Sequence, residues 1–301
     1  MVYEMIFSNS NNGTLDNNEQ EEHRDRSGQF VRVSVKGSVN YVAKMAERPR
    51  YYANDHSRDV LTLDPRTVSI EDARGRSESA SLGREGYQLI SHRSAVSDFK
   101  NPVEVAAVYS AEVESLLLAV SGADQVVVNS PGVLRFSEKS ADAGKFNNSL
   151  PARFIHVDVS DVTAQRFADR SAPKDIARPV RRFAHYNLWR ALSPPPQDVP
   201  LAVCDARTIV RADLVEADAV FDVPGSPEWS FEGWVLRYNS AHRWSYFSGM
   251  NLDEALVFKT NDSDPQEPHC IPHSAFDDPS CPTGVPPRAS VEMRGIAYWF
   301  G

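Results

Sequence analysis

The chain has 301 residues, of which 41% are hydrophobic and 10% aromatic, enough for one large domain with a substantial core. Its formal net charge of −9 argues against nucleic acid as the main partner, and no apolar run approaches the ~20 residues of a membrane span. The chain has three cysteines, an odd number for its length. This count indicates a reducing, cytoplasmic compartment and no disulfide framework.

The N-terminal segment, residues 1–27, is predicted to be a disordered tail. Residues 8–28 contain almost nothing apolar, and such a segment cannot bury enough surface to offset its ordering entropy. The tail also lacks the basic n-region and the long apolar h-region of a secretory signal. A single domain is expected over residues 28–301, with helix and strand support in 28–150 and a β core in 151–301.

The first half of this domain is predicted to mix helices and strands. Residues 41–50 have the pattern of a short amphipathic helix, whereas residues 67–70 and 86–92 are β-prone. The clearest helix covers residues 103–121, where apolar residues recur at helical spacing, and Gly122 follows as a C-terminal cap. We expect this helix to pack on the outside of the β core.

From residue 151 the pattern becomes β-dominated, with Asp, Asn, Pro and Gly clusters between short apolar runs. No internal repeat or long linker divides this region. The sequence therefore predicts a mainly β protein with flanking helices, folded as a double-stranded β-helix, the jelly roll of cupin-like proteins. The strands are expected at residues 183–192, 201–209, 234–238, 244–247, 254–259 and 289–300.

A candidate metal site lies at the start of the β core, at His156 and Asp158. The surrounding residues 152–159 are mostly apolar and β-prone, and residues two apart on a strand point to the same side. Two imidazoles and one carboxylate are the ligand set of mononuclear non-haem iron, and they leave the opposite face of the metal open. The pair alone is a weak signal, because such pairs also occur as surface hydrogen-bond partners.

The third ligand must come from a distal histidine, and His242, His269 and His273 all follow the pair. His273 is favoured because the chain becomes apolar around it, and His269 is the next choice. A zinc site at Cys270, His273 and Cys281 is the alternative for this region. Structural zinc requires four closed ligands, however, and no second pair with zinc spacing is present.

The last strand carries polar residues at alternate positions: Arg288, Ser290, Glu292 and Arg294. Arg288 follows His273 by fifteen residues. An arginine and a hydroxyl on one strand face can hold a carboxylate, such as the distal carboxylate of 2-oxoglutarate. The alternative is a solvated face, with the intervening apolar residues toward the core.

Substrate contacts are predicted at the polar and aromatic residues nearest these motifs. Aromatic residues at strand spacing are more often core than pocket, so each of these assignments competes with a packing role. The candidates are Asn187, Trp189, Arg190, Trp244, Tyr246 and Arg294.

From about Tyr41 to its end, the sequence resembles the gibberellin A4 desaturase-like and cephalosporin 7α-hydroxylase (CmcJ)-like family of non-haem oxygenases. The resemblance is carried by ordered motifs that are specific to the family but not to one reaction within it. The motifs are VSIEDARG at 68–75, GYQL at 86–89, HVD at 156–158, NLWR at 187–190, PLAVCD at 200–205, HRWSYF at 242–247, PHSAF at 272–276 and RASVEMR at 288–294.

The resemblance implies a jelly roll that uses Fe(II), 2-oxoglutarate and O2, with the iron on His156, Asp158 and His273. Members of the family hydroxylate, desaturate or oxidatively cyclise secondary metabolites or amino-acid-derived molecules. The partner expected is therefore a small molecule, with no nucleic acid and no membrane. Two alternatives stay open, namely an iron oxidase that does not use 2-oxoglutarate and a non-enzymatic metabolite-binding jelly roll.

Overall fold

The computed structural model describes residues 22–24, 30–32, 34–128, 130–174 and 178–301. Most of the predicted N-terminal tail lies outside these residues, so its disorder stays a prediction. No helix in the described ranges is long and apolar enough to cross a membrane.

Strands dominate the described part of the chain. The strands are β1 (Glu22–Arg24), β2 (Phe30–Arg32), β3 (Ser34–Val42), β4 (Arg50–Tyr52), β5 (Leu63–Asp72), β6 (Tyr87–Ser91), β7 (Gln125–Val127), β8 (Val133–Phe136), β9 (His156–Val157), β10 (Val180–Ala191), β11 (Leu201–Cys204), β12 (Leu214–Phe221), β13 (Trp229–Leu236), β14 (Trp244–Tyr246), β15 (Glu254–Asp262), β16 (His273–Ala275) and β17 (Ala289–Phe300). The helices are α1 (Pro102–Glu104), α2 (Ser110–Ser121) and α3 (Asp161–Ser171), and a wider turn at Val105–Tyr109 joins α1 to α2. Short 3-10 turns lie at His56–Arg58, Ala73–Gly75, Ala206–Thr208 and Arg211–Asp213.

The strands form two large sheets, which confirms the predicted jelly roll. One sheet has the order β6-β15-β10-β17-β7, with β8 also paired to β17, and the other has the order β3-β5-β14-β11-β16-β9-β13-β12-β4. Their inner faces share a core, because Val203 of the second sheet packs with Trp189 and Phe258 of the first. This sheet-on-sheet packing places both ends of the interior within reach of loops.

The predicted helix over residues 103–121 is confirmed in place and in packing. Tyr109, Val113 and Leu117 are fully buried against the outer face of the first sheet. Gly122 ends the helix with φ 65, the left-handed conformation that glycine adopts without a steric penalty, and its amide donates to the Leu118 carbonyl.

Two local predictions are wrong. Residues 41–50 are not helical, because Tyr41 continues β3, pairs with Asp64 of β5 and buries its ring in the core. The strand predicted over residues 152–159 is reduced to the two residues of β9. Helix α3, which begins at the cap residue Ser160, follows almost at once and was not expected.

The strands of the first half of the chain are divided between the two sheets. Strands β3, β4 and β5 join one sheet, whereas β6, β7 and β8 join the other. Both halves of the chain therefore build the walls around the candidate site.

Candidate active site

The three candidate metal ligands lie together between the sheets. Strand β9 carries His156, with Asp158 directly after it, and the antiparallel strand β16 places His273 opposite His156. The ligand atoms of the three side chains lie within 4.8 Å of one another, and all three residues are buried. This is the one such group of His, Cys, Asp and Glu side chains found among the described residues.

Both imidazoles are oriented by their own backbone. Nδ1 of His156 lies 3.2 Å from the Phe154 carbonyl oxygen, and Nδ1 of His273 lies 3.1 Å from that of Ile271. A carbonyl can only accept, so each Nδ1 carries the proton and each Nε2 is left as a lone-pair donor for a metal. Burial, reinforced by the neighbouring His273, lowers the pKa of His156 to about 3, which keeps this ring neutral.

The carboxylate of Asp158 is held from two sides. The Asn187 amide donates to Oδ2 at 2.5 Å, and Arg294 donates to Oδ2 from Nε at 3.2 Å and to Oδ1 from Nη2 at 3.1 Å. Burial acts to raise the pKa of Asp158, but Arg294 and the two histidines outweigh it and hold that pKa below its usual range. The site thus presents an ionised carboxylate and two imidazole nitrogens, a donor set that suits Fe(II).

Two cavities meet at His156. The first, called the inner cavity, extends from His156 and His273 to Trp189 and Arg288. The second, called the outer cleft, reaches His156 and Asp158 from the side of β4, β12 and β13.

Arg288 lies in the inner cavity without a carboxylate partner among the described residues. Its Nη1 donates to the Val199 carbonyl at 2.8 Å, and its backbone amide donates to Oδ1 of Asp198 at 2.8 Å. Its guanidinium faces the Trp189 ring at 5.9 Å, and its Nε has no hydrogen-bond partner. Burial, together with Arg135 and Arg153, lowers the pKa of Arg288 to about 9. A buried cation left in this way is stabilised by an incoming anion.

The polar face of the last strand points inward. Arg288, Ser290 and Glu292 are 1%, 0% and 6% exposed, so the solvated alternative is wrong for them. Ser290 donates to the Arg135 carbonyl at 3.4 Å, whereas Arg294 donates to Glu292 at 2.6 Å as well as to Asp158.

The other distal histidines are engaged elsewhere. Nε2 of His269 pairs with Asp161 at 2.9 Å on the surface, and His242 contacts Asp213 at 3.1 Å. Within the described ranges, neither Cys270 nor Cys281 belongs to a group of potential metal ligands, which leaves the zinc alternative without support.

Three predicted substrate residues belong to the site, but not all as predicted. Trp189 lines the inner cavity, whereas Asn187 and Arg294 contact Asp158. Arg190 lies on the opposite face of β10, because neighbouring strand residues point to opposite sides. There it donates to the carbonyls of His92 and Leu252 at 2.8 and 2.7 Å, a placement that corrects its predicted contact with substrate.

Trp244 and Tyr246 require the same correction. Both are buried in the core of the second sheet, where Trp244 donates from Nε1 to the Tyr41 hydroxyl at 2.8 Å. Neither residue lines the inner cavity or the outer cleft. Their alternation on β14 indicated packing, the reading that competed with the substrate role.

Several residues of the site were missed by sequence reasoning. Arg135, on β8, lines both cavities, and Tyr51, Phe221 and Phe231 line the outer cleft. A signal existed for Phe221 and Phe231, since aromatic residues flank a turn rich in Pro and Gly at residues 222–228. No comparable signal marked Arg135.

Comparison with known proteins gives consistent findings. The family model described as "Oxidoreductase/YMDC permease-like domain" matches residues 39–298. The hydroxylase/desaturase CTB9 of Cercospora beticola is 30% identical over 253 residues, which cover 78% of this chain and 77% of that protein. The Fe(II)/2-oxoglutarate-dependent dioxygenase nvfI of Aspergillus novofumigatus is 30% identical over 246 residues, which cover 78% of this chain and 84% of that protein.

Solved structures are similar over most of the chain. The iron and alpha-ketoglutarate-dependent endoperoxidase NvfI superposes with a TM-score of 0.75 at 25% identity, covering 90% of this chain and 99% of that chain. The similarity therefore includes both sheets and the strands that carry the candidate ligands.

Proposed function

Because the chain belongs to the Oxidoreductase/YMDC permease-like family, among its Fe(II)/2-oxoglutarate-dependent dioxygenases, we propose that His156, Asp158 and His273 bind the iron and that Arg288 anchors the cosubstrate. The enzyme is an oxidoreductase that uses Fe(II), 2-oxoglutarate and O2. Its reaction is the hydroxylation, desaturation or oxidative cyclisation of a small molecule.

The observation that carries this assignment is one cavity with a metal-ligand group at one end and, at the other, a buried arginine whose guanidinium has no carboxylate partner among the described residues. 2-Oxoglutarate has a keto acid at one end and a second carboxylate at the other. The keto acid would lie toward His156 and His273, and the C5 carboxylate would be held by the Arg288 guanidinium, with Ser290 as a helper. Trp189 would cover the cosubstrate from the side of β10.

When bound, Fe(II) with 2-oxoglutarate and O2 supplies the oxidising power that removes hydrogen from an unactivated C–H bond. The residues of the chain bind and orient the metal and the cosubstrate, and they exclude water from the site. His156 and His273 offer Nε2 atoms whose direction is set by the Phe154 and Ile271 carbonyls. Asn187 and Arg294 keep the Asp158 carboxylate ionised and fixed.

Two finer assignments complete the proposal. We assign the enzyme to the gibberellin A4 desaturase-like and cephalosporin 7α-hydroxylase-like members, supported by the motifs at residues 156–158 and 288–294. We also place it in the cytoplasm, supported by the odd number of three cysteines in a long chain, a composition typical of proteins in a reducing compartment.

The ligand assignment predicts a sharp difference between two nearby histidines. His273→Ala should weaken Mn(II) or Co(II) binding and abolish succinate formation. His269→Ala is the matched control and should leave both intact, because His269 is tied to Asp161 on the surface. The measurements are an anaerobic metal titration and succinate release with 2-oxoglutarate. Full activity of His273→Ala would remove this residue from the site, and oxygen uptake without succinate would indicate an oxidase that does not use 2-oxoglutarate.

The anchor assignment predicts a large loss of cosubstrate affinity in Arg288→Ala. Truncating one partner of a buried charge pair costs ~2–5 kcal/mol, which is roughly 30- to several-thousand-fold weaker binding at ~1.4 kcal/mol per tenfold. Arg288→Lys should recover only part of the 2-oxoglutarate affinity, since an ammonium cannot reproduce the two parallel hydrogen bonds of a guanidinium. Ser290→Ala should weaken 2-oxoglutarate binding by about 1–3 kcal/mol. The measurement is the 2-oxoglutarate concentration for half-maximal succinate release. An unchanged value in Arg288→Ala, with a strong rise in Arg294→Ala, would move the anchor to Arg294.

A further inference from the structure

An aromatic wall lines the outer cleft. Strands β12 and β13 form a hairpin whose register places Phe221 opposite Trp229 and Ala219 opposite Phe231. The Phe221 and Trp229 rings stack with centroids 4.4 Å apart at 15°, and Phe221 and Phe231 stack at 5.2 Å and 27°. Trp229 remains 52% exposed at the mouth. The wall is therefore a continuous aromatic strip from solvent into the cleft.

The wall becomes smaller toward the metal ligands. Ala219 lines the cleft beyond Phe221, and Gly233 lies against the backbone carbonyl of Asp158. On the other side, Tyr51 and Phe154 pack ring to ring at 4.8 Å, and Tyr51 also approaches the His156 ring. A flat apolar group in the outer cleft thus has aromatic surfaces on two sides.

Arg135 is a basic residue of this cleft that has no ion-pair partner among the described residues. Its described hydrogen bonds all leave from Nη1, which donates to Oδ1 and the carbonyl of Asn148 and to the Leu150 carbonyl at 2.9, 3.0 and 2.8 Å. Asn148 has φ 53, a left-handed conformation that asparagine tolerates, so the loop is shaped around this arginine. Arg135 lines both cavities, and no described hydrogen bond or ion pair uses its Nε or Nη2.

The other basic residues of the cleft already have partners. Arg294 is bound by Asp158 and Glu292, and Nδ1 of His56 lies 3.3 Å from Asp59. Arg135 also borders the inner cavity. In the inner cavity, however, the metal ligands and Arg288 already bind the two ends of the cosubstrate. Nε and Nη2 of Arg135 can therefore bind a group in the outer cleft.

We propose that the outer cleft binds the organic substrate as a flat, apolar ring system stacked on Phe221 and Phe231, with a carboxylate held by Arg135. Stacked aromatic rings and a charge-assisted guanidinium contact are the two interactions these walls can offer. This substrate class rests on the proposed function, because the cleft is a substrate site only if the metal lies at His156 and Asp158.

The test uses the full chain with Mn(II) and 2-oxoglutarate under anaerobic conditions, and two matched probes, 2-naphthoate and 2-naphthamide. Broadening of the probe proton signals by Mn(II) reports proximity to the metal, and titration gives each dissociation constant. The variants are Arg135→Met, Arg135→Lys and Phe221→Ala. The control is Arg66→Met, which removes an exposed arginine paired with Asp64.

The proposal expects Mn(II) to broaden 2-naphthoate and the protein to prefer it to the amide by roughly tenfold or more. Arg135→Met should abolish that preference, Arg135→Lys should retain part of it, and Phe221→Ala should weaken both probes without changing 2-oxoglutarate affinity. Arg66→Met should change nothing. Equal binding of the two probes by the unaltered protein overturns the proposal. This comparison needs no variant, so it remains decisive even if Arg135→Met fails to fold.

Other outcomes separate this inference from the function on which it rests. If 2-oxoglutarate binds but Mn(II) does not broaden the naphthoate signals, the substrate class is wrong and the proposed function stands. If Arg135→Met weakens 2-oxoglutarate and not naphthoate, Arg135 belongs to the cosubstrate site, which overturns this inference alone. If 2-oxoglutarate does not bind the Mn(II) protein at all, both proposals fail together.

Discussion

At the scale of single residues, the site depends on which buried charges have partners. Asp158 is ionised because Arg294 and Asn187 surround it, whereas Arg288 is buried without any carboxylate among the described residues. The first arrangement prepares a metal ligand, and the second prepares a place for an anion. Asn187, predicted to contact substrate, donates a hydrogen bond to the candidate metal ligand Asp158.

This role of Asn187 predicts a loss of metal affinity that needs no substrate to be seen. Asn187→Ala removes the donor 2.5 Å from Oδ2 of Asp158, so the carboxylate gains freedom to turn. Losing an outer-shell partner of a metal ligand typically costs roughly 10- to 100-fold in affinity. The measurement is an anaerobic Co(II) titration in the absence of 2-oxoglutarate.

The matched control is Asn239→Ala, since Asn239 donates to Asp213 at 3.2 Å and does not line either cavity. It should leave the Co(II) affinity unchanged. Equal Co(II) affinity in Asn187→Ala and the unaltered protein would return Asn187 to a packing or substrate role.

At the scale of elements, the candidate metal ligands depend on a strand of only two residues. Strand β9 is held between β13 and β16, with Val157 paired to Trp234 and His156 paired to both Val235 and His273. Such a short strand has little stability of its own, so its neighbours determine where His156 and Asp158 lie. Gly233 of β13 lies directly against the backbone carbonyls of Val157 and Asp158.

Gly233→Ala is therefore predicted to disturb the metal site. A Cβ at this position would lie 2.8 Å from the Asp158 carbonyl and 2.9 Å from that of Val157, and backbone cannot swing aside as a flexible side chain can. Overpacking of this kind costs typically ~1–3 kcal/mol, and here it also moves two ligands. Urea unfolding should show a lower free energy of unfolding, and a Co(II) titration should show a lower metal affinity.

Gly83→Ala serves as the control, because nothing lies within 4 Å of a Cβ built there. It should change neither quantity. If Gly233→Ala binds Co(II) as tightly as the unaltered protein, β9 is more tolerant of its neighbour than this packing indicates.

At the scale of the whole molecule, the two sheets and helix α3 are joined by buried polar contacts as well as by apolar packing. His185 of β10 donates from Nε2 to the Ala164 carbonyl of α3 at 3.0 Å and is 7% exposed. Burial lowers the pKa of His185 to about 4. The folded protein therefore holds this ring neutral under conditions where the unfolded chain would protonate it.

The sign of the pH effect follows from that difference. Above the unfolded pKa of ~6.5 the ring is neutral in both states, and stability does not depend on it. As the pH falls from ~6.5 toward ~4, the unfolded chain binds a proton that the folded protein excludes, so the free energy of unfolding decreases. Between pH 7.5 and pH 5 the loss from this residue should be about 2 kcal/mol.

The measurement is urea unfolding at pH 7.5 and pH 5 for the unaltered protein and for His185→Gln. The glutamine amide can still donate to Ala164 but does not titrate, so the pH dependence should be smaller in the variant by about 2 kcal/mol. The same pH dependence in both proteins would show that His185 is accessible to protons in the folded state.

The sequence by itself determined the features that have a local period or spacing. The helix ending at Gly122, the strand Ala289–Phe300 and the jelly-roll class follow from apolar periodicity and turn residues, because side-chain direction repeats every 3.6 or two residues. The His-x-Asp spacing and the alternation after Arg288 likewise placed candidate ligands on one face of a strand. Where tertiary pairing overrode local propensity, as at Tyr41, the prediction was wrong.

Only the tertiary structure decided which distant residues meet. Strand register brings His273 opposite His156, aims Asn187 at Asp158 and turns Arg190 away on the other face of the same strand. The place of Arg135 depends on the pairing of β8 with β17. These contacts join residues far apart in the chain, and a shift of one residue in register would reverse which side chains face the site. That information is held in how the sheets pair, and no single stretch of sequence contains it.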